Sequence, residues 1–461
     1  MKRYSEYKDS GVEWIGEVPS HWNISKLKYI VNTTKGFAFK SELFESEGIP
    51  VVKASDIKNK TIVCINNYIN ENIANKYTNV KLLEGDIIMS TVGSTPDVKN
   101  SAVGQLAYIP NNIEGSLLNQ NTVILRVDQS NLMDNRYLFY ALCSSVFRSY
   151  LDLYAHGTAN QASLSLADIL NYDISIPSKL EQKEITKYLD EKTSQIENLI
   201  SKKEELIETL KASRTKLISE TVTKGLDKNV PMKDSGVEWI GDIPSHYEIK
   251  KLKNLCTHIG RGKSPEYEEN TGAYTVNQAC LYWNYFKSES IKSVSNKFYN
   301  SLNINQKINK GDILINSTGG GNLGKSAFFD KTGTLGRVHF YEGDEKYAYD
   351  SHVTMVRLKE SFNKKYFYYM FCTKNVHSYI DLFCVNGSTK QIELSKTGLE
   401  SIVIPVPSKK EQDEISKYLD IKTEQIDILV IKIEEQIELL KKAKQKLITE
   451  VVTGKIDVTN L

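Results

Sequence analysis

Apolar side chains recur every seven residues in two long, otherwise polar stretches of the chain. This spacing predicts two amphipathic helices whose narrow apolar stripes pair with each other, as in a coiled coil. The positions assigned to the paired stripes, and to partner binding along the same helices, are Ile185, Leu189, Ile196, Leu199, Leu206, Leu210, Leu217, Ile415, Leu419, Ile426, Leu429, Ile433, Leu440 and Leu447.

Both helices have clear start and stop signals. A proline followed by S-x-x-E, at Ser178 and again at Ser408, spells a capping box, and glycines at 225 and 454 mark the ends. Each helix should therefore run for about 40 residues, or about 60 Å. The alternative is a helix packed on the core of its own domain. Polar interruptions such as Lys203 and Gln436 favour the two-helix seam.

The remaining sequence alternates short apolar runs with amphipathic stretches. Residues 85–89, 121–127 and 352–357 predict strands, whereas residues 135–151 and 363–383 predict helices. The globular parts therefore belong to a mixed α/β class.

The chain contains an internal repeat. KDSGVEWIGEVPSHW at residues 8–22 returns as KDSGVEWIGDIPSHY at residues 233–247, and the G-D-I-(I/L) run and the G-(T/S)-x-x-Q loop also return in the same order. Between these anchors the halves diverge almost completely. The sequence thus predicts two copies of one α/β frame with unlike inserts, separated by long helices that run antiparallel if the ends of the second module lie close together.

Domain boundaries follow from the repeat and the helix signals. They are 1–177 for the first module, 178–225 for the first helix, 226–407 for the second module, 408–454 for the second helix and 455–461 for a tail.

Bulk composition limits the functional classes. With 461 residues, 40% of them hydrophobic and 25% charged, the chain has enough apolar material for several cores. A net charge of +2 argues against a protein that binds DNA by charge alone, so DNA binding would use local patches or basic partners. Six scattered cysteines, with no apolar leader and no membrane-length apolar run, predict free thiols in a cytoplasmic protein.

Residues 319–326 match the phosphate-binding pattern G-x-x-x-x-G-K-[ST]. That loop requires a following helix, but the sequence AFFDKTGT after Ser326 predicts a strand and a turn. A glycine-rich hairpin is the favoured interpretation. No N-P-P-Y or D-P-P-Y motif of a methyltransferase is present, and the histidines are not spaced as metal ligands. We therefore expect no catalytic residue and no metal site.

Several loops carry side chains suited to base edges and phosphates, namely arginine, lysine, asparagine and glutamine. In each half they comprise a K-G or R-G loop, the Ser/Gly-rich loop and the G-(T/S)-x-x-Q loop. The WIG(E/D)(V/I)PSH element should instead be structural. The DNA-binding candidates are Lys35, Phe37, Lys40, Ser90, Thr91, Ser94, Asn160, Gln161, Arg261, Lys263, Ser317, Thr318, Asn322, Lys325, Lys390 and Gln391.

Taken together, the duplicated motifs resemble the specificity subunits of type I restriction-modification systems. The matching features are the opening KDSGVEWIG, the G-D-I-(I/L) strand, the G-(T/S)-x-x-Q loop and the segment E-Q-x-E-I-x-x-Y-L-D before the heptad helix. The resemblance implies two target recognition domains, each reading half of a bipartite DNA site, with the helices setting the gap.

The resemblance also implies partners and cofactors. Two modification subunits would bind S-adenosylmethionine and methylate adenine, and two restriction subunits would use ATP and Mg²⁺, while this chain would bind no cofactor. Two other classes stay open: a P-loop nucleotide-binding enzyme, and a coiled-coil adaptor that does not read DNA.

Overall fold

The computed structural model describes residues 3–93, 102–128, 132–158, 161–282, 285–320, 338–343, 346–388 and 391–459. The chain packs into two compact units, residues 1–203 with 434–461 and residues 204–433. The long helices span Lys179–Lys224 and Lys409–Val452. Each unit therefore holds one α/β module and part of both helices, whereas the sequence boundaries treat the helices as separate segments.

A four-stranded antiparallel sheet forms the centre of each module. In the first unit the strand order is Leu106–Tyr108, Ile87–Ser90, Thr122–Val127 and Val31–Lys35. In the second unit the same order is Val338–Phe340, Ile313–Asn316, Val353–Leu358 and Cys256–Arg261. The strands predicted near 85–89, 121–127 and 352–357 are thus confirmed within one or two residues.

The repeated G-D-I element explains how each central strand begins. Gly85 has φ +85° and Gly311 has φ +92°, a backbone region that residues with a Cβ rarely adopt. The next residue, Asp86, is buried and accepts hydrogen bonds from the Arg126 guanidinium at 2.6 and 2.7 Å. Asp312 and Arg357 repeat this fork in the second unit.

The divergent inserts share one topology although their sequences differ. In the first module, Leu117–Leu118 pairs in parallel with Ile49–Val52, and in the second, Tyr274–Val276 pairs in parallel with Tyr347–Tyr349. In each module the pair is extended by one antiparallel strand, and a small hairpin lies nearby. The added strand is Tyr68–Ile69 in the first module and Lys292–Ser293 in the second. The hairpin is formed by Ile57–Lys58 and Thr61–Ile62 in the first module, and by Leu281–Tyr282 and Tyr285–Phe286 in the second.

Three smaller sheets complete each module. They are an N-terminal hairpin, a strand pair that precedes each long helix, and a three-stranded sheet that contains the G-(T/S)-x-x-Q hairpin. In the first unit these strands are Tyr7–Asp9 with Glu17–Pro19, Asn23–Lys26 with Asp173–Ile176, and Val92–Gly93, Gln161–Ser163 and His156–Thr158. In the second they are Met232–Asp234 with Asp242–Pro244, Glu248–Lys251 with Val403–Val406, and Thr318–Gly320, Gln391–Leu394 and Val385–Ser388.

The helix predicted at 135–151 is two helices, Asn135–Leu142 and Ser145–Tyr154, and that at 363–383 is Lys364–Phe371 and Lys374–Phe383. Each break falls at a hydroxyl residue whose side chain caps the second helix, Ser144 or Thr373. The other short helices are Glu71–Ala74, Leu166–Leu170, Leu252–Leu255, Asn296–Ser301 and Lys396–Ser401.

The long helices run antiparallel within each unit. In the first, Lys203 Nζ donates to Gln436 Oε1 at 2.7 Å, and Lys444 pairs with Glu197. In the second, Arg214 Nε donates to Asp427 Oδ1 at 3.0 Å. The helices are therefore paired by charged and polar contacts as well as by apolar ones.

One half of the predicted seam has the wrong register. Each predicted apolar stripe consists of two columns, that is, two sets of residues spaced seven apart. The residues at this spacing from Leu189 to Leu217 are buried or half-buried, as are those from Leu419 to Leu447. By contrast, Leu199, Leu206 and Leu429 have 44, 46 and 49% of their surface exposed. The second column lies one residue further along each helix. Its members are Thr193, Ile200, Ile207, Arg214 and Thr221, and Thr423, Val430, Ile437, Lys444 and Val451.

The first turns of both long helices also pack into module cores. Ile185 and Leu189 belong to the core of the first unit, and Ile415 and Leu419 to that of the second. Packing on a domain core and pairing with another helix therefore both occur, in successive parts of each helix.

A repeated set of polar contacts fixes each module to the long helices. Asp190 Oδ1 accepts from Arg136 Nε and Nη2 at 2.9 and 2.8 Å and from the Tyr140 hydroxyl at 2.6 Å. In the second unit Asp420 accepts from Lys365 and Tyr369.

The glutamine of E-Q-x-E-I takes part in the same joint. Gln182 accepts from the backbone N–H of Asp134 and donates to two carbonyl oxygens. Gln412 accepts from Asn363 N and donates to Pro407 O. We call these contacts, with Asp190 and Asp420, the helix joint.

The segment predicted as a tail belongs to the first unit. Ile456 and Val458 are buried in its core, and Gly454 O accepts from the Tyr7 hydroxyl at 3.0 Å. Tyr137 and Ser175 both donate to Val452 O. The corresponding contact in the second unit, from Tyr366 to Val222 O, fixes the end of the first long helix.

Candidate nucleic-acid interface

Three segments predicted to contact DNA meet at one end of the central sheet in the first module. Gly36 N donates to Thr122 O, Thr91 N donates to Asn121 O, and Leu164 N, after the G-T-x-x-Q hairpin, donates to Thr91 O. We call this end of the sheet the first loop face.

The second module repeats this arrangement. Gly262 N donates to Val353 O, Ser317 N to His352 O, and Leu394 N to Ser317 O. This second loop face therefore brings together the R-G loop, the Ser/Gly-rich loop and the G-S-x-x-Q hairpin.

Glycine is required where the first loop approaches the neighbouring turn. A Cβ at Gly36 would lie 1.8 Å from Asn119 O, and a Cβ at Gly262 would lie 1.8 Å from Tyr349 O. Because these contacts involve backbone atoms, the K-G and R-G loops keep this close fit only with glycine.

An aromatic cluster supports the first loop face. Phe37, Phe39 and Tyr77 have ring centroids 4.5 to 5.1 Å apart, and Phe37 is 40% exposed. Lys35 ends the strand that enters this loop and Lys40 lies within the loop, and both side chains are exposed. Exposed cations beside an exposed ring are suited to a phosphate backbone and to bases.

Some predicted contact residues have structural roles instead. Ser90 and Ser317 are fully buried; Ser90 Oγ donates to Val92 O, and Ser317 Oγ lies 2.5 Å from Thr354 Oγ1. Thr318 is buried, with its hydroxyl bonded to Gln278 and close to His352. These hydroxyl groups hold the loop and are not presented to a ligand.

Arg261 makes structural contacts within the module. Its guanidinium donates to Glu393 Oε2 at 3.0 Å and to the carbonyl oxygens of Ser317 and Leu394. Arg261 thus joins the central sheet to the hairpin, while Lys263 on the same loop remains exposed.

The remaining candidates can be placed only in part. Thr91 is half-buried at the first loop face. Gln161 and Gln391 begin hairpin strands, and nothing is described of their side chains. Ser94, Asn160, Asn322, Lys325 and Lys390 lie outside the described residues, as does most of the phosphate-loop match.

The sequence reading missed the turn before the last central strand. This turn contains Asn119, Gln120 and Asn121 in the first module, and Asp350, Ser351 and His352 in the second. Asn119 N donates to Val52 O at 2.9 Å, and Asp350 N donates to Val276 O at 3.0 Å. The backbone is thus equivalent at this turn, whereas the side chains differ. An N-Q-N triplet rich in amides was the available signal.

Beside this turn, the second module contains an open cavity of about 390 Å³. Tyr267, Asn277, Gln278, Lys292, Asp350 and His352 contribute to its wall. Burial raises the pKa of the Asp350 carboxyl group, whereas the backbone N–H and the ring of His352 and the Lys292 ammonium lower it, by less. The cavity wall therefore includes a carboxyl group that is poorly hydrated.

The fold and the site together define a class: a duplicated α/β protein with a chemically distinct loop face on each copy and paired long helices. The type I restriction modification DNA specificity domain family matches this chain twice, over residues 19–209 and 244–439. The chain therefore belongs to this family.

Two curated relatives and one solved structure are similar over most of their length. A protein of Methanocaldococcus jannaschii, provisionally named type I restriction enzyme MjaX specificity subunit, is 25% identical over 446 residues, or 96% of each chain. The EcoKI specificity subunit of Escherichia coli strain K12 is 21% identical over 417 residues, covering 88% of this chain and 82% of its own. A chain from a study of assembly and conformational transition of the type I R-M system has a TM-score of 0.69 at 16% identity, covering 95% of this chain and 99% of its own. The last likeness concerns the fold.

None of the helices in the described ranges combines the length and the apolar character needed to cross a lipid bilayer.

Proposed function

We propose that this chain is the DNA sequence-specificity subunit of a type I restriction-modification complex. Each module would read one half of a bipartite site, and the paired helices would set the unread gap. The observation that carries this proposal is the repetition of one backbone frame with unlike side chains at its loop face, since two readers of different half-sites need this combination.

The chain would direct chemistry that its partners perform. Two modification subunits would supply S-adenosylmethionine and methylate adenine, and two restriction subunits would supply ATP and Mg²⁺; this chain itself would be non-catalytic. The exposed leucines 199, 206 and 429 on the long helices are suited to docking of the modification subunits.

Genome-wide adenine-methylation mapping tests the proposal. A host that expresses this chain with its modification subunit should acquire methylated adenines in one bipartite motif with a fixed gap. Exchange of residues 1–177 for another recognition domain should change one half-site only. If methylation had no sequence preference, the chain would be an adaptor that does not read DNA.

The helices provide a second measurement. Insertion of seven residues into each long helix, at equivalent positions, should lengthen the tolerated gap and leave both half-sites unchanged. An unaltered gap would contradict the role of the helices as a ruler.

A further inference from the structure

The cavity beside the second loop face contains a carboxyl group without its full set of partners. Asp350 is only 4% exposed, and Oδ1 accepts one hydrogen bond, from His352 N at 2.9 Å. Among the residues that the structure describes, no other group donates to this carboxyl group. Because a buried carboxyl group needs donors, the free oxygen at the cavity wall is suited to a ligand with an N–H group.

A donor lies in the same cavity. Gln278 Oε1 accepts from the Thr318 hydroxyl at 3.0 Å, which leaves its amide N–H groups available to the cavity. The wall therefore combines a free acceptor on Asp350 with a free donor on Gln278. The major-groove edge of adenine carries the complementary pattern, with the N6 amino group as donor and N7 as acceptor.

The cavity adjoins the second loop face. His352 O, in the turn that contains Asp350, accepts from Ser317 N of the Ser/Gly-rich loop, and Val353 O, directly after the turn, accepts from Gly262 N of the R-G loop. A base held at this loop face would thus come close to the cavity wall.

The first module has different chemistry at the same backbone positions. Val52 and Leu118 are paired there, as Val276 and Tyr349 are in the second module. The residues that follow are Lys53 and Asn119 in the first module, and Asn277 and Asp350 in the second. The first module thus has an ammonium group and an amide where the second has an amide and a carboxyl group.

We propose that Asp350 and Gln278 determine specificity in the second module by reading one adenine of its half-site, with Asp350 accepting from the N6 amino group and Gln278 donating to N7. Asn119 has the corresponding place in the first module. This inference rests on the proposed function and assigns residues to it.

The internal repeat supplies a matched substitution. Asp350→Asn introduces the residue that the first module holds on an equivalent backbone, and Asn119 is itself buried there, so the fold should tolerate it. Gln278→Ala is a second variant, since that side chain is exposed. Glu269→Gln, at an exposed carboxylate of the same module, is the control.

Each variant would be co-expressed with the modification subunit, and adenine methylation would be mapped genome-wide. Asp350→Asn should reduce discrimination at one base position of one half-site by at least about tenfold and leave the other half-site unchanged. Gln278→Ala should reduce discrimination at the same base position. Asn119→Asp should change the base preference of the other half-site only. Glu269→Gln should give the same methylation motif as the wild type.

The outcomes separate this inference from the proposed function. A wild-type complex without a bipartite motif would contradict the proposed function itself. With that motif present, an unchanged motif in Asp350→Asn and Gln278→Ala would overturn the inference. A uniform loss of methylation at all sites, with the base preference intact in both variants, would also overturn it, since a structural role predicts that result.

Discussion

Asp190 shows how much of the helix joint depends on a single side chain. One carboxylate oxygen receives hydrogen bonds from Arg136 Nε and Nη2 and from Tyr140. Asp190→Ala should reduce stability by about 1 to 2 kcal/mol, because charged hydrogen bonds are strong but these groups are partly exposed. The midpoint of thermal unfolding should fall accordingly.

The adjacent carboxylate provides the control for that prediction. Glu191 is largely exposed beside Lys192, so Glu191→Ala should reduce the free energy of unfolding by less than about 0.5 kcal/mol. Equal shifts for the two variants would mean that the joint does not depend on Asp190.

Glu181 makes the stability of the first unit depend on pH. Burial raises the pKa of its carboxyl group, but hydrogen bonds from His21, Ser178 and Trp22 outweigh that effect, so the pKa is lowered overall. The resulting stabilisation is present above the pKa of about 4.3 for an unfolded glutamate and is lost as the pH falls through the lower folded pKa.

This dependence can be measured from unfolding midpoints between pH 6 and pH 3. The midpoint should fall less steeply on acidification in Glu181→Gln than in the wild type, because the variant has no carboxylate to protonate. Parallel curves would show that Glu181 does not contribute to the acid sensitivity.

At the scale of elements, the register of the paired helices can be tested with neighbouring residues. Ile207 is 6% exposed and Leu206 is 46% exposed. Ile207→Ala should lower the stability by about 2 to 4 kcal/mol, whereas Leu206→Ala should cost less than about 1 kcal/mol. Chemical denaturation followed by circular dichroism would measure both losses of stability. If Leu206→Ala were the more destabilising variant, the register predicted from sequence would be the correct one.

The sequence predicted one column of the seam and not the other for a physical reason. Leu199 and Ile200 are both apolar, as are Leu206 and Ile207, so periodicity alone cannot decide which of each pair faces the other helix. Polar residues at seam positions, such as Arg214, also interrupt the apolar periodicity of the correct column, so it is harder to recognise in the sequence. The rotation of each helix is set by tertiary contacts.

The loop faces were predictable to a similar extent. Turn glycines and basic residues identified the K-G and R-G loops, but side-chain type could not reveal that Arg261 is tied to Glu393 or that Ser317 is buried. The Asp350 turn was missed because its partner strand lies more than 70 residues earlier in the chain. Such non-local parallel pairing has no local signal.

At the scale of the whole chain, the last residues complete a core formed mainly by the first ones. Ile456 and Val458 are 7% and 4% exposed, and burial of each side chain contributes about 1.5 to 3 kcal/mol. A chain that ends at Thr453 should therefore lose several kcal/mol in the first unit. Hydrogen exchange should show faster exchange there and little change in the second unit.

Ile456→Ala provides a graded version of this truncation. This substitution should also reduce the stability of the first unit, but by less than the truncation does. If neither the truncation nor Ile456→Ala altered hydrogen exchange in the first unit, this segment would not contribute to the core.

The helix joint and the loop faces are built from separate sets of residues. Each module attaches through the same few groups, a carboxylate and a glutamine on the helix and a tyrosine on the module, whereas the loop faces do not use these groups. A gene exchange that replaced one module, with its tyrosine retained, would leave the attachment unchanged. New DNA targets could then arise without a redesign of the scaffold.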